Sequence, residues 1–200
     1  MLRGSTKYGN DIDEVDLMLR RVNDSIYDAF QRVDGGGNYI SKNIKTSLDQ
    51  YTKSVHNLMG LVTGALPTGK KAGEALTDGS LSAMRGTDVN GATALINSAA
   101  KGNDATKWCA THMNMKLPPE QLNTRKGRES MMNLVRTLFA NGGYHVQFNV
   151  LDTQMLRDAQ KHPENYRDLV VRVAGFSAFF TQLHVGVQNE VIERTLQRCE

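Results

Sequence analysis

Cysteine is scarce. Two in 200 residues, Cys109 and Cys199, are too few for a disulfide framework and too isolated for a metal spacing such as C-x-x-C. They read as free thiols. Cys109, in Lys107-Trp108-Cys109-Ala110-Thr111, has no neighbouring base and is expected to be a small buried side chain. Cys199, next to the last residue, is expected to be exposed. No apolar run approaches the roughly 18 residues of a membrane span, and Met1-Leu2-Arg3-Gly4-Ser5 lacks the apolar core of a signal peptide. The expected location is therefore the cytoplasm, with no membrane contact. The net charge of +3 is small and its basic residues are scattered, which argues against nucleic acid as a partner. No repeat or low-complexity tract is present. With 40% hydrophobic and 22% charged residues the chain has the composition of an ordinary folded domain, long enough to form one large domain or part of a bigger one.

Ile12, Val15, Leu19, Val22, Ile26, Ala29 and Val33 recur at alternating three- and four-residue steps, predicting an amphipathic helix. Asn10 is its expected N-cap, and Gly35-Gly36-Gly37 its stop. Three heptads ending in glycines suit a packed helix better than a coiled coil. Residues 44–62 fit either helix or strand. Seven glycines between Gly60 and Gly91, with Pro67, Asp78 and Asp88 among them, predict a long turn-rich excursion. Asn90 is placed to cap a helix ending at Gly102. Pro118-Pro119-Glu120 opens another, with Leu134, Val135, Leu138 and Phe139 on one face and Gly142-Gly143 as its end. In residues 144–150, Val146, Phe148 and Val150 alternate with His145, Gln147 and Asn149, as in a strand with one apolar and one polar face. Asp152 or Thr153 caps a helix to Gln160, and residues 169–173 form a strand. Val187, Val191, Ile192 and Leu196 mark a closing helix. Strands alternating with helices indicate an α/β class.

Several motifs have ordinary explanations. Gly64-Ala65-Leu66-Pro67-Thr68-Gly69-Lys70-Lys71 nearly matches the phosphate loop G-x-x-x-x-G-K-[ST]. It fails because Lys71 replaces the metal-binding hydroxyl and Pro67 has no N–H to offer a phosphate. His145 has no histidine or carboxylate at metal spacing and is expected to be a hydrogen-bonded strand residue. Asp11, Asp13, Glu14 and Asp16 read as a solvated helix start.

Gly175 resists such an explanation. It interrupts the apolar stretch 169–180, where a glycine packs nothing. Its presence suggests a tight bend, a close backbone approach, or chemistry at Cα itself. Arg172, Val173, Gly175, Phe176 and Phe180 fit R-V-x-G-[FY]-x-x-x-F, the radical loop of the glycyl radical enzymes, and the segment resembles that pyruvate formate-lyase-like superfamily. Four further stretches resemble it in the same order: residues 7–11 (K-Y-G-N-D); 64–74, with Lys70 in place of the usual Arg; 81–88 (L-S-A-M-R-G-T-D); and 142–149 (G-G-Y-H-V-Q-F-N). They lie nearest to the dehydratase, decarboxylase and arylalkylsuccinate synthase branches.

The resemblance implies the C-terminal part of a ten-stranded α/β barrel, with the radical loop between a strand and a C-terminal helix. Residues 1–64 would end the catalytic domain and residues 65–200 would form the glycine radical domain. It implies a lyase of dehydratase, decarboxylase or C–C lyase type acting on a small molecule. Gly175 would hold the radical, supported by Arg172, Val173, Phe176 and Phe180, with Val171 and Phe179 helping to exclude water and oxygen. No bound cofactor or metal is expected. An S-adenosylmethionine-dependent iron–sulfur activase would install the radical, which would pass to a catalytic cysteine absent from this chain. Cys109 does not match that cysteine's surroundings. The chain is then expected to be inactive alone, to leave apolar surface uncovered, and to be cut at Gly175 by dioxygen once activated. The partner would be the remainder of the barrel or a larger subunit carrying the cysteine. The alternative is a spare glycyl-radical subunit that restores a damaged enzyme, although residues 8–62 look like ordinary catalytic-domain sequence.

Overall fold

The computed structural model of the chain describes residues 4–36, 48–50 and 55–198. Its elements run α1 (Asp13–Gly36), β1 (Leu48–Asp49), α2 (Val55–Val62), α3 (Ala92–Gly102), β2 (Trp108–Ala110), β3 (Asn114–Leu117), α4 (Pro119–Leu122), α5 (Arg125–Ala140), β4 (Gln147–Val150), α6 (Thr153–Lys161), β5 (Val170–Arg172), β6 (Ser177–Phe179) and α7 (Val185–Glu193). β1 pairs with β2 and β3 with β4, both parallel, while β5 and β6 form an antiparallel hairpin. The expected mixture of helices and strands is present.

Two apolar clusters hold these elements. Leu95, Ile96 and Ala99 of α3 meet Met115 and Leu117 of β3 and Leu134 and Leu138 of α5. On the other side, Leu156 and Ala159 of α6 meet Val171, Val173, Phe180, Val191 and Ile192. Burying each larger side chain contributes roughly 1.5–3 kcal/mol. β3 belongs to the first cluster, and β4 beside it reaches the β5–β6 hairpin through Asn149.

Several expectations are corrected. α1 buries a polar face against α3. The Ser98 hydroxyl donates to Asp16 Oδ2 at 2.9 Å, and Asn23 Nδ2 donates to the Gly102 carbonyl at 2.9 Å. A Cβ on Gly102 would stand 2.8 Å from Leu19 Cδ2, so glycine permits this close crossing. Val22 and Ile26, expected inside, are exposed. Asp16 is therefore a buried contact; burial raises its carboxyl pKa despite the Ser98 bond. Asn10 ties the excursion down instead of capping α1: its Nδ2 donates to the Thr87 carbonyl at 2.7 Å, and its Oδ1 accepts from Val89 N at 2.8 Å. Gly91, not Asn90, caps α3.

The helix expected from Pro119 is two helices. Thr124 Oγ1 accepts from Gly127 N at 3.0 Å to start α5 anew. A Cβ at Gly127 would lie 1.8 Å from the Gln121 carbonyl oxygen, so α4 abuts α5 too closely for a larger residue. The ambiguous stretch divides into β1 and α2, with residues 44–47 and 51–54 outside the described residues, as are Gly37 and Cys199. Residues 63–91 contain no helix or strand, in keeping with the expected excursion. Its near-phosphate-loop turn encloses its own cation. Buried Lys70 Nζ donates to the carbonyls of Lys71 at 2.9 Å and Thr63 at 3.3 Å.

Candidate functional site

The alternation expected around Phe148 is real, but its polar side is the more buried one. Gln147 and Asn149 are enclosed while Phe148 and Val150 are half-buried. The reason is the hairpin beside them. Asn149 Oδ1 accepts from Arg172 N at 2.8 Å and its Nδ2 donates to the Arg172 carbonyl at 2.7 Å. One carboxamide thus makes the two bonds that a neighbouring strand would make to β5. Gln147 Oε1 accepts from Arg172 Nε and from the Gly175 amide, the latter at 3.3 Å. Its Nε2 meets His112 Nε2.

Gly175 lies in the turn of this hairpin, between β5 and β6, not between a strand and a helix as expected. The Val173 amide donates to the Phe176 carbonyl at 2.9 Å. Gly175 is third in that tetrapeptide with φ of 76°, where a type II turn requires a positive φ. A side chain there would carry backbone strain of roughly 1–2 kcal/mol.

The incoming strand is held from its far side by Arg194, which caps α7. Nη1 donates to the Arg172 carbonyl at 3.1 Å and Nη2 to the Val173 carbonyl at 2.6 Å. Nε donates to Glu190 Oε1 at 2.7 Å and lies 3.1 Å from Asp78 Oδ2. Glu190 in turn lies 3.6 Å from His56 Nε2 on α2. Burial opposes the charge on Arg194, but Asp78 and Glu190 outweigh it and hold its pKa above the ordinary value. Burial likewise pushes the Glu190 carboxyl up, yet His56 and Arg194 bring it below the usual range.

Before the turn opens a cleft of about 330 Å³, lined by Cys109, Thr111, His112, His145, Arg172 and Gly175 among others. Cys109 is exposed here, contrary to expectation: on the short strand β2 its side chain faces the cleft while Trp108 takes the buried position. His145 precedes β4, and the fold brings it to His112, with ring centroids 4.8 Å apart. Its Nδ1 is buried without a hydrogen-bond partner, so the expected bonded strand histidine is not found. Burial, then the nearby His112 and Arg172, lower its pKa. Among the described residues no group of three or more His, Cys, Asp or Glu side chains could hold a metal ion.

Arg172, Val173, Gly175, Phe176 and Phe180 therefore share one hairpin and its exit, but in different surroundings. Val173 and Phe180 are buried, Gly175 is half-buried, and Phe176 and Phe179 are exposed. The apolar screen expected around the glycine is incomplete within the described residues. Sequence reading assigned no role to Arg194, Glu190 or Asp78: Glu190 and Arg194 stand one turn apart at the end of α7, while Asp78 comes from the distant excursion. Gln147 and Asn149 were visible as a polar strand face, and their contact with Gly175 and Arg172 was not.

The arrangement puts a carbon without a side chain at a fixed turn, facing a cleft. Residues 77–181 match the family model described as glycine radical. The chain is 44% identical over 196 residues to indoleacetate decarboxylase of Tractidigestivibacter scatoligenes, covering 94% of this chain and 21% of that protein. It is 38% identical over 196 residues to trans-4-hydroxy-L-proline dehydratase of Clostridioides difficile, covering 96% and 23%. The solved B12-independent glycerol dehydratase of Clostridium butyricum superposes with a TM-score of 0.88 at 39% identity, over 98% of this chain and 24% of that one. The chain thus spans between a fifth and a quarter of these relatives.

Proposed function

This chain belongs to the glycyl radical enzyme family, and from that premise we propose that it is the radical-bearing part of a glycyl radical lyase, with the unpaired electron stored on Gly175. The observation that carries the reading is the Gly175 turn itself. Its φ is positive, its amide is held by Gln147, and it borders an open cleft.

Loss of one hydrogen atom from Cα leaves a carbon that flattens into conjugation with the amide nitrogen on one side and the carbonyl on the other. A Cβ would crowd that planar centre, so glycine is the residue that suits it. The activase, a separate protein using S-adenosylmethionine and an iron–sulfur cluster, takes this hydrogen atom. The Gly175 radical then takes a hydrogen atom from a cysteine S–H, which restores glycine and leaves the thiyl radical to attack a small-molecule substrate. That cysteine is supplied by the remainder of the catalytic barrel. The exposed Phe176 and Phe179 and the half-buried glycine support this division of labour, because such a radical needs a dry enclosure that these residues do not complete alone. The relatives named as decarboxylases and dehydratases support a lyase reaction.

The test is anaerobic electron paramagnetic resonance after incubation with the activase, with and without the remaining part of the barrel. A doublet in the wild-type chain that is lost in Gly175→Ala is expected. Silence of the wild type under both conditions overturns the assignment.

A further inference from the structure

Resting on the assignment of Gly175 as the radical site, we propose that Arg194 is a positioning residue that sets the geometry of the radical-bearing turn, held to that task by Glu190 and Asp78. The guanidinium is almost wholly enclosed, with 6% of the residue exposed. Burying an isolated cation is strongly unfavourable, and two carboxylates beside it offset that cost. Two carboxylates alone would satisfy the charge. The remaining donors, however, reach two consecutive carbonyls, those of Arg172 and Val173.

Those carbonyls are where the chain enters the turn. Val173 is fixed at both ends, its N–H by the Phe176 carbonyl inside the turn and its C=O by Arg194. Arg172 is fixed likewise, its N–H by Asn149 and its C=O by Asn149 and Arg194. With the Gly175 amide on Gln147, Ala174 is the one residue of the segment 172–175 whose backbone N–H has no described tether. The orientation of the peptide planes leading to Cα of Gly175 is thereby set from two sides, by β4 and by the end of α7. Only a planar fork of several donors reaches two carboxylates and two carbonyls together, so lysine at this place would keep the charge and lose the geometry.

The experiment compares wild type, Arg194→Lys and Arg194→Met, each joined with the rest of the barrel and activated without oxygen. It reads the splitting of the glycyl doublet, the spins per chain and the thermal unfolding temperature. The splitting reports spin density on the Cα that carries the remaining hydrogen, hence the twist between the two amide planes. A merely structural role would lower the fraction folded and leave the splitting of the surviving signal unchanged.

The expected result is a changed splitting in both variants, with spins per chain reduced about tenfold or more, the scale of losing charge-assisted hydrogen bonds. If neither arginine variant folds, Glu190→Gln, which loosens the guanidinium while filling the same space, must show the changed splitting. Variants with unaltered splitting overturn the role of Arg194, whatever their unfolding temperature. A silent wild type instead removes the assignment of Gly175, and this inference with it.

Discussion

Lys116 lies on β3 with its ammonium directed into the protein, donating to the Ile192 carbonyl at 2.7 Å and the Thr153 hydroxyl at 3.3 Å. Burial, followed by the neighbouring charges of Arg194 and Arg157, pushes its pKa down to about 8. Between that value and 10.5 an unfolded lysine still holds a proton that the folded one has released. The unfolded state then binds more protons, so this group makes stability rise as pH increases through that window. The full span corresponds to at most about 3 kcal/mol. Urea unfolding at pH 8 and pH 10.5 should show this upward contribution in wild type, and Lys116→Met should lack it. Equal pH dependence in the two proteins would show that Lys116 is not a depressed cation. The same attention to surroundings explains why Cys109 and Asp16 depart from what their residue types suggested: one faces a cleft and the other a helix crossing.

At the scale of elements, the joint between β4 and β5 is made by side chains where a sheet would use backbone. Asn149 supplies one acceptor and one donor to Arg172, and the contact aligns the hairpin with the strand that also carries Gln147. Asn149→Ala removes both bonds and leaves the Arg172 amide without its acceptor, a loss of roughly 1–3 kcal/mol for a buried group. For a chain of this size the unfolding temperature falls by about 2–4 °C per kcal/mol, so a drop of several degrees is expected in calorimetry. Hydrogen exchange at the Arg172 amide should quicken at the same time. An unchanged exchange rate there would mean that β4 does not hold the hairpin. α1 illustrates the complementary case. Its hydrophobic period was legible, but the face that packs is the one bearing Asp16 and Asn23.

The molecule as a whole presents large apolar side chains on the exposed faces of two helices. Leu17, Met18, Val22 and Ile26 of α1 are all about half exposed, and Leu58, Leu61 and Val62 of α2 more so. Large apolar side chains exposed in this number suit contact with another body, as the proposed function requires of a chain that spans about a fifth of the decarboxylase it resembles. Val22→Lys with Ile26→Lys should leave the chain's own stability within about 0.5 kcal/mol, as for other exposed substitutions. On the proposed function, the same pair should weaken association with the remainder of the barrel, measured by sedimentation of the mixture. A double variant that associates as tightly as wild type would place the contact elsewhere.

The sequence by itself determined the existence of most helices, the turn-rich excursion, the polar Gln147 and Asn149 of β4 and the singularity of Gly175, because each is written in local periodicity or in a short motif. It also carried the family, since five short motifs occur in one order along the chain. The tertiary structure alone decided that the glycine turn belongs to a hairpin and that α1 packs through its polar residues. It likewise decided that His112 and His145 meet beside Cys109 and Gly175, and that Asp78, Glu190 and Arg194 converge behind the turn. The physical reason is the range of the interactions. Helical period, capping and turn chemistry act over a few residues, whereas a buried ion pair between Asp78 and Arg194 depends on the path of more than a hundred residues between them, which no local pattern records.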